Sequence, residues 1–263
     1  MSNMLSILVT HYNRPEALAI CISAIQSLKF PLPVELVVSD DCSTPDNLKQ
    51  LQKLPINTLV TAPVNQGLAS NLNKGIKACQ GDYILYVQED FIIRPEFLNL
   101  LPESIELLNS GALDMIRFRA NYVFNHLIPI TTHIFEIPKF SFKNFNINTF
   151  QYSDNPFLTT PAFFEKHNYY LENTSGPYGE TEFAIRVLKS TSKIGIADRN
   201  YFDANNDSSS VMVTKPVKQK LGLKRKFWRF ARALRQHLEW ILYQPNNRKL
   251  CTYKNTYKNK RKS

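Results

Sequence analysis

A short apolar segment that ends in three polar residues constrains the fold of this chain more than any other feature. The segment Asp82–Val87 is mostly apolar, aromatic and β-branched, and Gly81 stands directly before it, so the pattern predicts a strand. A strand this apolar is expected to be buried on both faces, as in a parallel sheet covered by helices. Its carboxyl end delivers Gln88, Glu89 and Asp90. Open α/β sheets bind their ligands at that edge, so the segment also predicts a binding site.

Two interpretations of the polar triplet are open at this point. Adjacent carboxylates at a sheet edge can hold a hard divalent cation through oxygen, and the cation can hold a diphosphate. The alternative is a solvated strand end that carries acidic residues. The triplet alone does not separate the two.

The segments before this strand alternate between strand and helix patterns. Strands are predicted at 5–10, 34–38 and 57–61, and helices at 15–28, 46–54 and 65–79. This alternation is typical of an α/β fold with a doubly wound, mainly parallel sheet and helices on both faces. Right-handed crossovers then bring the carboxyl ends of the strands to one rim.

Length and composition fit a protein of this class. The chain has 263 residues, enough for one large α/β domain and an appendage, and 43% of them are hydrophobic, which suits a globular core. No apolar run reaches the ~18 residues of a membrane-spanning helix. The cysteines follow no metal or disulfide spacing, which predicts reduced thiols in a cytoplasmic protein. They are Cys21, Cys42, Cys79 and Cys251.

Charge divides the chain into two parts. From residue 215 onward there are 16 Lys and Arg residues and one acid, Glu239, whereas the first 214 residues hold 16 bases and 21 acids. An acidic body with a basic tail indicates an anionic partner surface. We therefore predict a body over 1–210, with halves 1–110 and 111–210, and a tail over 211–263.

The tail contains an amphipathic helix pattern over 223–243. One arc of its helical wheel is apolar, and the basic residues lie outside that arc with a tryptophan on each flank. The apolar arc comprises Phe227, Phe230, Ala231, Leu234, Leu238, Ile241 and Leu242. This predicts a helix in the interface of an anionic membrane, and the alternative is a helix docked on the body. Nucleic acid is disfavoured, because the acidic body would repel phosphates and the aromatics form no stacking platform.

Five segments, in this order and spacing, resemble glycosyltransferase family 2. They are Thr10–Arg14, Val37–Ser43, Asn65–Gly67, Asn73–Gly75 and Gly81–Asp90. The resemblance covers most of the body. It implies the GT-A fold and an inverting transfer of a sugar from a nucleotide-sugar, with a lean to uracil as the base.

The resemblance also implies a set of residues that bind the nucleotide-sugar. The set is Thr10, His11, Tyr12, Asn13, Asp40, Asp41, Asn65, Gly67, Asn71, Asn73, Gln88 and Glu89. The family aspartate that matches Asp40 accepts a hydrogen bond from the uracil ring. The alternative for Asp40 is a helix N-cap or an Asx-turn.

Two positions depart from the family pattern. Asp90 matches the last acid of the Asp-x-Asp metal motif, which implies a Mn²⁺ or Mg²⁺ cofactor. Gln88 stands where the first acid belongs, and a neutral amide is a poorer cation ligand than a carboxylate. Leu72 stands where the family usually has an arginine, which weakens the expected cationic contact to the diphosphate.

A second acidic segment, Gly176–Arg186, carries the candidate catalytic base. One alternative is structural: acids near a helix N-terminus stabilise the helix through its dipole. In the family, a segment of this kind supplies the base, and alignment makes Glu180 the candidate and Glu182 the second choice. The base would take the proton from the acceptor hydroxyl as that oxygen attacks the anomeric carbon.

Together these features predict a glycosyltransferase with a saccharide or lipid-linked acceptor. The resemblance implies a role in bacterial capsule, surface polysaccharide or lipopolysaccharide synthesis. It also implies a cytoplasmic protein, peripheral on the inner face of the cell membrane. The alternative is a noncatalytic sugar-nucleotide-binding or scaffold protein on the same fold, and Gln88 and Leu72 keep that alternative open.

Overall fold

The computed structural model describes residues 3–205 and 222–253, so the predicted boundary between body and tail at 210–211 lies outside the described residues. The strands are β1 Leu5–His11, β2 Val34–Asp40, β3 Thr58–Thr61, β4 Tyr83–Gln88, β5 Phe91–Ile93, β6 Met115–Arg117, β7 Ile128–Pro129, β8 Ile134–Glu136, β9 Phe157–Thr159, β10 Ile194–Ala197 and β11 Phe202–Ala204. The helices are α1 Pro15–Gln26, α2 Pro45–Leu51, α3 Leu68–Ala78, α4 Phe97–Asn109, α5 Pro161–Lys166, α6 Gly176–Lys189 and α7 Leu223–Leu242.

The first half of the chain builds the parallel part of the central sheet. Strands β3, β2, β1 and β4 lie side by side in that order, and neighbours are parallel. The register pairs Thr10 of β1 with Gln88 of β4, and His11 of β1 with Asp40 of β2. The predicted doubly wound arrangement is confirmed in this half, and the carboxyl ends of all four strands lie on one rim.

The second half of the sheet is mixed. β9 lies between β4 and β6 and is antiparallel to both. β6 pairs with β10 in parallel, and β8 and β7 follow in antiparallel pairs. Among the described residues the full order is β3-β2-β1-β4-β9-β6-β10-β8-β7. The expected parallel arrangement is therefore limited to β1–β4, because β9 runs antiparallel to β4.

Side chains alternate between the two faces of the sheet, and helices cover each face. On one face Val9 shares a core with Phe97 of α4. On the other, Leu8 shares a core with Leu72 of α3 and Phe183 of α6. Each fully buried side chain of this size contributes about 1.5–3 kcal/mol to the free energy of unfolding. The central strands are therefore buried on both faces, as their composition predicts.

The tail helix α7 docks on the body through its polar face. Thr149 Oγ1 donates to Gln236 Oε1 at 3.0 Å, and the Asn148 amide lies 3.3 Å from His237 Nε2. The His237 ring also stacks on Phe145, with ring centroids 4.5 Å apart. The sequence-based alternative of a docked helix is therefore correct for this face.

The apolar face of α7 is left uncovered by the rest of the described chain. Its exposed side chains range from 45% exposure for Leu238 to 69% for Ile241. We call this face the exposed stripe; it comprises Phe227, Trp228, Phe230, Leu234, Leu238, Ile241 and Leu242. The predicted helix is confirmed. Within residues 3–205 and 222–253, no helix combines the length and apolar character needed to cross a bilayer.

Candidate active site

The rim of the sheet gathers several of the residues singled out from the sequence. Thr10 and His11 end β1, Asp40 ends β2 and Gln88 ends β4, and the strand register sets these ends side by side. Thr10 Oγ1 lies 3.1 Å from the Tyr86 hydroxyl, which ties β1 to β4 below the rim. The result is a polar edge shared by three adjacent strands.

A buried hydrogen-bond chain fixes the orientation of His11. The backbone N–H of Arg14 donates to His11 Nε2 at 3.0 Å, so Nδ1 carries the proton and donates to Asp40 Oδ1 at 2.8 Å. Asp40 Oδ2 accepts from the backbone N–H of Ser43 at 2.8 Å. Burial raises the pKa of Asp40, but the hydrogen bonds from His11 and Ser43 outweigh burial and hold that pKa below its ordinary value.

The Asp40 carboxylate anchors the rim loop and does not face the rim. Its side chain is fully buried, and both oxygens are used by His11 and Ser43. The predicted hydrogen bond from a uracil ring to Asp40 does not fit this geometry, because a ligand would have to displace an internal partner. The alternative of a local bond between side chain and backbone describes the residue instead.

Two further residues of the predicted set shape loops around the rim. Asp41 accepts from the backbone N–H groups of Gln66 at 2.8 Å and Gly67 at 2.7 Å. Gly67 has a φ of 89°, a conformation that favours glycine. Asn13 Oδ1 accepts from the backbone N–H of Thr44 at 2.8 Å. Asp41 and Asn13 therefore hold the loops that a ligand on the rim would touch.

The amides of Asn71 and Asn73 are used inside the protein. Asn71 Nδ2 donates to the Ser39 carbonyl at 2.9 Å, and its Oδ1 accepts from Ser39 Oγ at 2.7 Å. Asn73 Nδ2 donates to the Tyr170 carbonyl at 3.0 Å, and its Oδ1 accepts from the Tyr170 N–H at 2.9 Å. A Cβ on Gly75 would lie 2.9 Å from Ser39 Cβ, so α3 packs tightly on the sheet. Both amides are thus already paired within the protein, and their predicted role in binding the nucleotide-sugar stays a prediction.

Other polar groups stay within reach of a ligand beside these loops. Tyr12 is 45% exposed, and Asn65 is exposed in the loop before α3. Lys74 is half-buried, and its Nζ donates to the carbonyl oxygen of Asp40 at 2.5 Å. Burial lowers the pKa of Lys74, and the charges of Asp41 and Asp40 oppose that shift.

The cation nearest the acidic triplet does not come from the family's arginine position. Leu72 stands there and is 1% exposed in the core. Instead, Arg14 Nη1 lies 3.4 Å from Glu89 Oε1 and 3.7 Å from Asp90 Oδ2. The family resemblance assigns no such role to Arg14. The available signal was its place directly after the loop that follows β1.

The carboxyl groups of Glu89 and Asp90 are largely buried. Burial raises the pKa of Glu89 to about 7, with Arg14 opposing the shift and Asp90 adding to it. Burial also raises the pKa of Asp90, against the attraction of Arg14. Asp90 Oδ1 is buried and has no hydrogen-bond partner among the described residues.

These features fit a divalent cation held jointly by protein and ligand. A hard cation would satisfy the unpartnered Asp90 oxygen, and Glu89 could supply a second carboxylate. Within the described part of the chain, no group of three or more His, Cys, Asp and Glu side chains is placed to hold a metal ion. Phosphate oxygens would therefore have to complete the coordination, as they commonly do for Mg²⁺.

Glu180, near the start of α6, is packed against Asp154. Glu180 Oε1 accepts from the backbone N–H of Asp154 at 3.3 Å, and the Tyr152 hydroxyl donates to Asp154 Oδ1 at 2.6 Å. Burial raises the pKa of Glu180, while the Asp154 N–H and the charge of Arg117 oppose the shift. Burial and the charge of Glu180 raise the pKa of Asp154 well above its ordinary value. Asp154 was missed from the sequence because no motif marks it.

The structure brings the two acidic groups to the same rim. β9 pairs with β4 in antiparallel register as far as Phe157 and Tyr86, so the segment before β9, which holds Asp154, lies at the same end of the sheet as the triplet that follows β4. Burial raises the pKa of Tyr86 well above its ordinary value, and the charges of both Asp154 and Glu89 add to the rise. Because Glu180 contacts the backbone of Asp154, it too lies toward this end of the sheet.

Glu182, the second choice for the base, lies elsewhere. Its side chain is fully buried, and it receives Arg186 Nη2 at 2.6 Å and Arg186 Nε at 3.0 Å. Tyr243 donates its hydroxyl to the same carboxylate, and Arg248 Nε lies 3.4 Å away. A carboxylate shared by these three groups has no free face for an acceptor hydroxyl. The interpretation of Glu182 as a base therefore does not fit the structure.

The fold and the rim define an α/β protein that binds its ligand at the carboxyl edge of a doubly wound sheet. The family model described as glycosyl transferase family 2 matches residues 6–170. The chain belongs to this family of glycosyl transferases.

Two curated relatives match shorter stretches. The putative glycosyltransferase EpsH of Bacillus subtilis (strain 168) is 28% identical over 95 residues, which are 35% of this chain and 27% of EpsH. An uncharacterized glycosyltransferase of Haemophilus influenzae (strain Rd) is 32% identical over 105 residues, 39% of this chain and 35% of the relative. The match thus spans about a third or less of either relative.

Solved structures show the same fold. S. aureus TarS 1-349 in complex with UDP-GlcNAc superposes with a TM-score of 0.62 at 18% identity, over 89% of this chain and 72% of that one. The complex of TarS 1-349 with UDP also has a TM-score of 0.62, over 93% of this chain and 68% of that chain. The predicted GT-A fold is confirmed by these matches.

Proposed function

We propose that the protein transfers a sugar, with inversion, from a UDP-sugar to a hydroxyl of a saccharide or lipid-linked acceptor. The observation that supports the proposal is that two acidic groups lie toward the same end of the sheet. Glu89 and Asp90 follow β4, and Glu180 reaches the same rim through Asp154. The TarS structures contain UDP and UDP-GlcNAc in a similar fold, which supports a uridine donor.

Each group has a separate task in this proposal. Glu180 accepts the proton of the acceptor hydroxyl as its oxygen attacks the anomeric carbon from the face opposite the leaving group. Asp154 holds Glu180 through its backbone N–H. Arg14 and a cation held by Asp90 and Glu89 would face the departing diphosphate, where positive charge stabilises the transition state.

Metal dependence is the first test. We expect Mn²⁺ to tighten UDP binding by about tenfold or more, or ~1.4 kcal/mol, because the cation joins Asp90 to the diphosphate. Calorimetry of the full chain with UDP, with and without Mn²⁺, measures the effect. Asp90→Asn should abolish the difference, whereas Asp46→Asn, at a surface carboxylate with 90% exposure, should keep it. Equal UDP affinity with and without metal would count against the cation.

A noncatalytic sugar-nucleotide-binding or scaffold protein is the second candidate. Gln88 in place of an acid and Leu72 in place of an arginine both weaken the diphosphate site, and Leu72 is committed to the core. Transferases commonly leak some donor to water. Slow release of UDP from a UDP-sugar supports the enzyme, while tight donor binding without any hydrolysis or transfer supports the binder.

We further propose that the enzyme works as a peripheral protein on the inner face of the cell membrane, in the synthesis of capsule or lipopolysaccharide. The support for this placement is the orientation of α7. Its polar face is used by the body, and the exposed stripe remains for an apolar medium. The basic residues around the stripe favour an anionic surface.

The stripe predicts a specific loss of vesicle binding. Leu238→Gln and Ile241→Gln should each weaken binding to anionic vesicles about fivefold, because each half-exposed side chain loses roughly 1 kcal/mol of apolar transfer. Cosedimentation with phosphatidylglycerol vesicles measures the loss. Ile20→Gln is the matched control, since Ile20 on α1 is 44% exposed and Leu238 is 45% exposed. If all three variants bind alike, the stripe does not contact the membrane.

A further inference from the structure

A cavity of about 530 Å³ opens on the body away from the rim, between α5, the end of α6 and the segment after α7. Four cationic side chains line it: Lys166, Arg186, Lys189 and Arg248. Arg186 follows Glu180 by six residues, which is about 9 Å along the helix. The cavity is therefore separate from the candidate active site.

The cations of this cavity outnumber the acids that pair with them. Arg186 and Arg248 share one carboxylate, Glu182, and Lys166 pairs with Asp114 at 3.2 Å. Lys189 forms no ion pair within the described residues; its Nζ donates to main-chain carbonyls instead. Four cations thus face two carboxylates, and the cavity keeps a net positive charge.

One buried histidine responds to this positive field. His167 lines the cavity, and burial together with the charges of Arg186 and Lys166 lowers its pKa to about 3, so the ring is neutral. Arg186 has a side chain that is 7% exposed, and its Nη1 has no hydrogen-bond partner among the described residues. The Arg186 side chain also lines the cavity, and its guanidinium carbon lies 5.0 Å from the centroid of the Phe183 ring.

The cavity adjoins the end of the exposed stripe. Lys189 donates to the carbonyl oxygens of Trp240 at 3.1 Å and Ile241 at 2.9 Å. Ile241 is 69% exposed and Leu242 is 46% exposed on the outer face of the same turn. A cationic cavity beside an apolar surface matches a phospholipid, which joins a phosphate to hydrocarbon chains.

We propose that this cavity binds the phosphate of an anionic phospholipid headgroup while the exposed stripe lies in the membrane. The inference rests on the proposed membrane placement of the enzyme and is independent of the transfer reaction. Arg186 and Lys189 face the phosphate, and Lys166 and Arg248 add positive charge to the cavity lining. Binding there would fix both the depth and the rotation of α7 at the bilayer surface.

The test uses the full chain and vesicles of phosphatidylcholine, with and without phosphatidylglycerol as one lipid in five. The double variant Lys166→Gln/Lys189→Gln should bind the anionic vesicles roughly 25-fold more weakly, given about fivefold for each basic group lost at the surface. The matched control is Lys49→Gln/Lys53→Gln. Lys49 pairs with Asp46 at 3.3 Å much as Lys166 pairs with Asp114, and both control lysines are exposed.

A competition arm separates the cavity from general charge attraction. Soluble glycerophosphoglycerol, at ionic strength matched with chloride, should release the wild-type protein from vesicles and leave the residual binding of the double variant unchanged. The melting temperature should be the same in all variants, which excludes misfolding. The UDP affinity should also be the same, which shows that the donor site is not affected.

Three outcomes would overturn the proposal. Equal vesicle binding by the double variant and its control removes the cavity but leaves the stripe in place. Stabilisation of the wild type by inorganic phosphate, without any effect of the double variant on vesicle binding, assigns the cavity to a soluble anion. Failure of the wild type to bind anionic vesicles removes the membrane placement itself, whatever the outcome of the transfer assay.

Discussion

Glu180→Gln should lower sugar transfer by about 10²–10⁴-fold, the usual contribution of a general base. The substitution keeps the size of the side chain and its contact with the Asp154 N–H, but it removes the ability to accept a proton. UDP binding should not change, because Glu180 acts on the acceptor. Transfer and donor hydrolysis, followed by UDP release, measure the effect. Near-normal turnover would exclude Glu180 as the base.

The pH dependence of transfer offers an independent check on Glu180. A base works only when deprotonated, and burial raises the pKa of Glu180 above its ordinary value of 4.5. The rate of transfer should therefore fall as the pH drops through that raised pKa. The midpoint of this fall should lie above pH 4.5. Glu165→Gln, at an exposed position on α5, should keep both the rate and the profile of the wild type.

Glu182→Ala should destabilise the protein by about 3–5 kcal/mol, the usual cost of removing one partner from a buried ion pair. Glu182 is fully buried and compensates Arg186, which is 7% exposed, while Tyr243 and Arg248 join the same carboxylate. The loss leaves the buried Arg186 without its carboxylate partner and releases the segment after α7. Urea unfolding of the full chain gives the change in the free energy of unfolding.

Two comparisons distinguish this structural role from catalysis. Glu106→Ala, at an exposed position on α4, should change stability by no more than about 0.5 kcal/mol. Glu182→Gln should transfer sugar at the wild-type rate wherever it is folded, because the side chain lies away from the rim. A folded Glu182→Gln enzyme without activity would return this residue to the catalytic site.

The order of the first elements was predictable because each signal is local. Strand and helix periodicities alternate from β1 to β4, and parallel strands joined by helices bring their carboxyl ends together. Thr10, His11, Asp40 and Gln88 therefore reach one rim, as expected. The antiparallel placement of β9 was not predictable, because it depends on pairing between segments about 70 residues apart.

Site residues were harder to predict because a motif does not show where a side chain points. Asp40, Asn71 and Asn73 stand at positions expected to bind nucleotide, yet their polar atoms bond to neighbouring loops and strands. Asp154 carries no motif and still contacts Glu180. These assignments depend on which partner is nearest in space, which the sequence spacing does not contain.

The tail gives the opposite lesson about local patterns. The apolar arc of α7 was evident from the helical wheel, but a hydrophobic stripe usually marks the face that packs inward. Here Gln236, His237 and Tyr243 face the body, because Thr149, Asn148 and Glu182 offer them hydrogen bonds. The pattern predicted the helix and its two faces, and the tertiary partners decided which face is used.

The position of β9 in the sheet determines the distance between the proposed base and the proposed donor site. Asp154 precedes β9, and Glu89 follows β4. The pairing of these two strands therefore fixes how far the proposed proton acceptor lies from the proposed donor site. The segment at 120–148 contains β7 and β8, whose pairings lie outside this ladder. Changes in that segment would therefore leave the pairing of β4 with β9, and the distance between the proposed base and the proposed donor site, unaltered.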